Sequence, residues 1–127
     1  MRKTYLLTLL TVLMCTLGMR GQVTTDPTPV QENTQNLKIY FHADQGNKGL
    51  MGLNANTKIY AHTGLITSKS TSPSDWKYTI SDWDKDIDKA LMVYEGPNLW
   101  SLYIGDIRTF YGVKDMSEKI EKIAFVL

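Results

Sequence analysis

Tyr60 and His62 stand two residues apart in a stretch that alternates between apolar and polar side chains. Residues at that spacing on a strand share a face, so a phenol ring and an imidazole are presented together. Trp76 and Lys77 follow after a polar loop. Large aromatic side chains are mostly well buried, and the residues alone favour a core position for Trp76 and an ordinary strand position for Tyr60. Acidic chemistry is concentrated further on, where Asp82, Asp84, Asp86 and Asp88 surround Trp83. Asp84, Asp86, Asp88 and Glu95 match positions one, three, five and twelve of a helix–loop–helix calcium loop. The sixth position is Lys89, where the sharp turn needs glycine, and no flanking helices are expected. The run reads as a solvated acidic loop, so no metal site is expected. Trp83 is then either an aromatic platform at a loop tip or a lid packed on a sheet edge. Paired carboxylates hydrolyse glycosides when a cleft holds them about 5–10 Å apart, and a polar loop supplies no such cleft. Serine, histidine and aspartate are all present, but no nucleophile elbow is visible. No catalytic residue and no cofactor is expected, and the chain does not read as an enzyme.

The totals agree with a binding or structural protein. The chain has 127 residues, 43% of them hydrophobic and 21% charged, which is a globular composition of one-domain length. Fourteen basic residues against thirteen acidic ones leave a net charge of +1, with no basic excess to hold nucleic acid. One cysteine and two histidines exclude a disulfide scaffold and a cysteine-built zinc site.

The amino terminus reads as an export signal. Met1-Arg2-Lys3 is a short basic start, and Leu6 to Leu17 is apolar or neutral throughout. About a dozen residues is signal length and too short to span a bilayer, so no membrane span is expected. Gly21 supplies the small residue before a cut, which gives residues 1–21 as the signal and an exported product that is secreted, periplasmic or at a bacterial cell surface. Met14 is too large to precede a lipidated cysteine, which argues against an anchor at Cys15. Loss of residues 1–21 removes Arg2, Lys3, Arg20 and the cysteine, changes the net charge to −2, and leaves a chain held by its core alone.

The elements that must position these side chains are strands. Residues 22–35 form a polar, extended lead-in with Pro27 and Pro29, in which Val23 starts an edge strand. Leu37, Ile39 and Phe41 then alternate with Lys38, Tyr40 and His42 as a half-buried strand. A second strand is expected over Thr57–Ala61, with Tyr60 and His62 on one face and Ile59 and Ala61 on the other. A Thr/Ser-rich loop over Thr63–Ser74 leads to a third strand at Trp76–Ile80. Leu91–Tyr94 and Leu99–Ile104 flank the Glu95-Gly96-Pro97-Asn98 turn and make a hairpin, in which Trp100 is structural. Asp106–Tyr111 forms one helical turn capped by Asp106 and stopped by Gly112. Ile120–Leu127 is a last strand. Short strands separated by turns give an all-β chain, an antiparallel β-sandwich. The last strand stops with no polar tail, so the chain is expected to be truncated.

Five segments carry a family likeness. They are Tyr60-Ala61-His62-Thr63-Gly64, Ser74-Asp75-Trp76-Lys77-Tyr78, Gly96-Pro97-Asn98-Leu99-Trp100, Ile107-Arg108-Thr109-Phe110-Tyr111-Gly112-Val113, and Glu118 to Val126. In this order they resemble the immunoglobulin-like starch-binding modules attached to secreted bacterial α-amylases and related surface glycan-handling proteins. The likeness covers residues 36–127. It implies an immunoglobulin-like β-sandwich, incomplete at its C-terminus because such modules usually continue to a closing strand. It implies no hydrolysis by this chain.

The resemblance also implies a site. A sugar ring offers an apolar C–H face and a rim of hydroxyls, and binding it takes aromatic platforms with a few polar groups. In the resembled modules a strand Tyr/His pair and a Trp after a loop form that platform. The matching positions are Tyr60, His62 and Trp76, with Lys77 placed to bond a hydroxyl and Trp83 as a second platform. The implied partner is an α-glucan such as starch or glycogen, bound for the benefit of a catalytic domain or other glycan-binding modules elsewhere. A structural or adhesive spacer with no sugar site, or a non-functional fragment, accounts for the same strands.

Overall fold

The computed structural model describes residues 5–8, 22–46, 48–80 and 87–127. Among the described residues are seven strands: β1 Tyr5–Thr8, β2 Val23–Asp26, β3 Leu37–His42, β4 His62–Thr67, β5 Val93–Gly96, β6 Leu99–Gly105 and β7 Ile120–Val126. A short helix, α1, spans Ile107–Tyr111, and a 3-10 turn covers Asp88–Ala90. The strands form two antiparallel sheets, ordered β1-β7-β4 and β2-β3-β6-β5. The chain is all-β.

Alternation dictates the packing. In β3, Leu37, Ile39 and Phe41 are buried and Lys38, Tyr40 and His42 half-buried. Opposite them in register, Leu102 faces Ile39 and Trp100 faces Phe41. Leu65 of β4 and Ile120, Ile123 and Phe125 of β7 join the same buried cluster, so both sheets share one core. Trp100 is 1% exposed and meets Tyr94 edge-on at 5.1 Å between centroids, the structural role expected of it. The β5–β6 hairpin turns through Pro97-Asn98, with Asn98 at φ 62, a left-handed conformation that asparagine tolerates.

The helical turn forms as its sequence dictates. Asp106 accepts from the Thr109 amide at 3.0 Å and the Thr109 hydroxyl at 2.7 Å. Gly112 ends the helix at φ 82 and bonds back to Arg108. The turn drives Tyr111 inward, where burial pushes its phenol well above the usual range. Thr63 donates to the Ala124 carbonyl at 2.8 Å, so the Tyr111 hydroxyl donates to Thr63, at 2.7 Å.

Two strand expectations are corrected. The second strand runs over His62–Thr67 rather than Thr57–Ala61 and takes in the first five residues, Thr63–Thr67, of the segment read as a loop. Thr63, Leu65 and Thr67 face inward there, and the threonine hydroxyls find partners in Ala124, Tyr111 and Glu118. Trp76–Ile80 is not a strand. Only Lys77 pairs with Leu65 as an isolated bridge, because Tyr78 adopts φ 56 and breaks the extension. The edge of β7 away from β4 is occupied: Tyr5–Thr8 pairs along Lys122–Phe125. The remainder of the expected export signal lies outside the described residues.

Candidate functional site

The site lies where the chain passes from one sheet to the other. Ile59 to Ala61 pair with Ala90 to Met92, just ahead of β5, through Ala61 N–H to Ala90 at 2.8 Å and Met92 N–H to Ile59 at 2.8 Å. From His62 the same chain pairs with β7. Ile59, Ala61 and Thr63 are buried while Tyr60 and His62 are half-buried. The two side chains are therefore on the solvent side, as their spacing dictates.

Trp76 is brought to His62 by the ordered loop between β4 and residue 76. Hydroxyls organise that loop. The Thr67 amide donates to Ser70 Oγ at 3.0 Å, and Ser70 Oγ donates to the Asp75 carbonyl at 2.8 Å. The Asp75 carboxylate accepts from the Thr71 amide at 2.9 Å and its hydroxyl at 3.1 Å, and these bonds hold its pKa below the usual range. The following segment docks on the outer side of β4 through paired bonds between Lys77 and Leu65 at 2.7 and 2.8 Å, and Ile80 N–H to Thr63 at 3.0 Å. Gly64 makes this docking possible. A Cβ there would lie 3.0 Å from the Thr79 methyl, 3.1 Å from the Lys77 carbonyl and 3.4 Å from Trp76 Cβ.

A second anchor holds the far side of the segment. Glu118, 2% exposed, accepts from Thr67 Oγ1 at 2.6 Å and from the Tyr78 hydroxyl, with Lys69 Nζ at 3.8 Å. Burial alone would raise its pKa, but the two hydroxyl bonds and the lysine outweigh that and hold it low. The bond to a carboxylate raises the Tyr78 phenol.

The result is a ring pair. His62 and Trp76 stack with centroids 5.7 Å apart and planes at 26°. That separation exceeds the roughly 3.5–4 Å of face-to-face contact. The rings are therefore displaced sideways, and each leaves part of its face uncovered by the other. Trp76 is half-buried, so it is not the core residue its type alone suggests.

The other expected site residues are placed less centrally. Tyr60 is on the same solvent side, two residues before His62, with its backbone bridged to Leu91. Lys77 is paired through its backbone with Leu65, and its ammonium lies 3.4 Å from Asp75. Trp83, with Asp82, Asp84 and Asp86, lies outside the described residues. Of the calcium pattern, Asp88 and Glu95 are described, and Glu95 is engaged by Ser101 at 2.6 Å and Lys38 at 3.2 Å. Among the described residues no cluster of three metal-ligating side chains occurs, and no helix is long and apolar enough to cross a membrane. Gly64, Asp75 and Glu118 build the site, although the sequence offers them only as parts of the likeness segments and not as site residues; a glycine inside a strand is the one local signal of close backbone approach.

A groove of about 660 Å³ lies elsewhere, between the lead-in and α1, lined by Glu32, Gln35, Asp106, Arg108, Lys114 and Met116. Its Glu32, Asp106 and Arg108 charges serve structure. Arg108 pairs with Glu32 at 3.0 Å and donates to the Glu118 carbonyl at 2.9 Å, and Glu32 also accepts the Ile120 amide at 2.6 Å.

No protein-family model, curated protein or solved structure matches this chain.

Proposed function

We propose that the chain is a non-catalytic carbohydrate-binding module of immunoglobulin-like architecture, exported from a bacterium, that binds starch-like α-glucan. The observation that carries the reading is the displaced His62–Trp76 stack held half-buried beside Tyr60. An offset ring pair presents a broad apolar face with an imidazole edge, which suits a pyranose and its hydroxyl rim. Hydroxyl-rich support at Ser70, Thr71 and Asp75 fixes the loop that carries Trp76, and rigid support lowers the ordering cost of binding. Single sugar sites are weak, and useful affinity comes through linkage to a catalytic domain or to other binding modules.

Native gel electrophoresis with and without soluble starch, glycogen, xylan or β-glucan tests the reading. The α-glucans should retard the protein and the β-linked polymers should not. Trp76→Ala should remove most of that retardation while leaving a cooperative thermal melt. A folded protein that no α-glucan retards would leave the spacer reading in its place.

A further inference from the structure

Tyr103 is 55% exposed on the outer face of the β2-β3-β6-β5 sheet, the sheet opposite to the one that carries the His62–Trp76 stack. Its ring is fixed on one side. A Cβ built on Gly105 would lie 3.2 Å from Tyr103 Cε2 and 3.4 Å from its hydroxyl oxygen, so the ring lies over the bare backbone of residue 105. Gly105 also adopts φ 74, a conformation that favours glycine. The hydroxyl donates to Asn36 Oδ1 at 3.1 Å, which pins the ring at its far end. The ring is thus seated at its Cε2–hydroxyl end while the residue stays 55% exposed.

The neighbours are mostly polar, with exposed Val93 opposite Ser101 and Asp26 opposite Lys38. Lys38 stands directly opposite Tyr103, and Ser101 opposite Tyr40. Tyr40 is therefore the diagonal neighbour of Tyr103, roughly 7–8 Å away. Lys38 Nζ lies 5.5 Å from the Tyr40 ring centre and 3.2 Å from Glu95. Glu95 also accepts from Ser101 at 2.6 Å. Lys38 and Glu95 offset each other, and exposed Asp26 opposite Lys38 on β2 adds a carboxylate, so the face does not favour an anionic ligand. An ammonium has three donors and a carboxylate about four acceptor positions, which leaves this pair capacity for hydroxyls beyond the bonds it already makes.

We propose that this face, centred on Tyr103 with Tyr40, Lys38 and Glu95, is a second binding surface for a neutral, pyranose-built polysaccharide. A fixed, half-open ring offers the apolar platform, and the Lys38–Glu95 pair offers both a donor and an acceptor to the hydroxyl rim. The inference rests on the reading that the chain binds carbohydrate. It adds that the two sheets each carry a contact, so one long polymer, or two, can be held from opposite faces, with avidity that short oligosaccharides do not show.

The test is starch affinity electrophoresis of the full chain as wild type, Tyr103→Ala, Tyr103→Phe, Trp76→Ala and the Trp76→Ala/Tyr103→Ala double variant, with thermal melts alongside. Tyr103→Ala should weaken retardation several-fold without lowering the melting temperature by more than a few degrees. Tyr103→Phe, which keeps the ring, should retain most of it. The double variant should run as in a starch-free gel. Unchanged retardation on Tyr103→Ala, in both the wild-type and the Trp76→Ala background, overturns the second surface while the first stands. Equal loss in Tyr103→Ala and Tyr103→Phe also overturns it, because the ring would then not be the determinant. If Tyr103→Ala abolishes retardation and Trp76→Ala does not, the second surface stands and the stack proposal falls. No retardation of the folded wild type overturns both.

Discussion

Gly64 decides where Trp76 sits, although it touches nothing through a side chain of its own. Alanine there places a methyl 3.0 Å from the Thr79 methyl and 3.1 Å from the Lys77 carbonyl. A carbonyl held in paired backbone bonds cannot yield far, so the 76–80 segment must shift by a few tenths of an ångström. Gly64→Ala should cost about 1–3 kcal/mol, the usual range for overpacking, read from denaturant unfolding. It should also weaken α-glucan retardation, because Trp76 moves with the segment. At this scale the sequence is a partial guide. The spacing of Tyr60 and His62 places both on the solvent side, as observed. Trp76 is ambiguous from its type alone, since a ring that is half-buried satisfies both the packing and the binding reading. Glu118 is opaque, because nothing in a Ser-Glu-Lys stretch announces that two hydroxyls from 40 and 51 residues away will bury it.

Elements with purely local determinants match their sequence closely. β3 follows from strict alternation, and α1 from Asp106 at its start and Gly112 at its end. Asp106→Ala removes the acceptor for the Thr109 amide and should cost about 1 kcal/mol, within the usual 0.5–2 for a lost N-cap, measured as a shift in the urea midpoint. β4 shows what local reading misses. Thr63, Gly64 and Thr67 suggest a loop by composition. The strand exists because Ala124, Tyr111 and Glu118 supply partners for inward-facing hydroxyls from distant parts of the chain. The 76–80 segment fails in the opposite direction. Its composition is strand-like, but Tyr78 enters the left-handed region so that its hydroxyl reaches Glu118.

Across the whole molecule, acid is the expected weakness. Asp75, Glu95, Asp106, Asp115 and Glu118 all have pKa values lowered in the folded chain, Asp115 to about 2. A carboxylate with a depressed folded value stabilises the fold above its unfolded pKa of about 4, and that contribution is lost as pH falls through the folded value. The melting temperature should hold from pH 7 to about 5 and fall steadily from there toward pH 2. A flat profile over that range would contradict the bonds assigned to these five groups. The same global view gives the sheet crossing a mechanical meaning. Ala61 is bonded toward the sheet that holds β5, and His62 begins pairing in the sheet that holds β7. The 61–62 peptide link is thus a joint between the two sheets. A sugar lying across Tyr60 and His62 would splint that joint. Amide exchange at Ala61 and Leu65, bonded to Ala90 and to Lys77, should therefore slow together when glycan is added, so that occupancy is felt as stiffness beyond the rings that touch it.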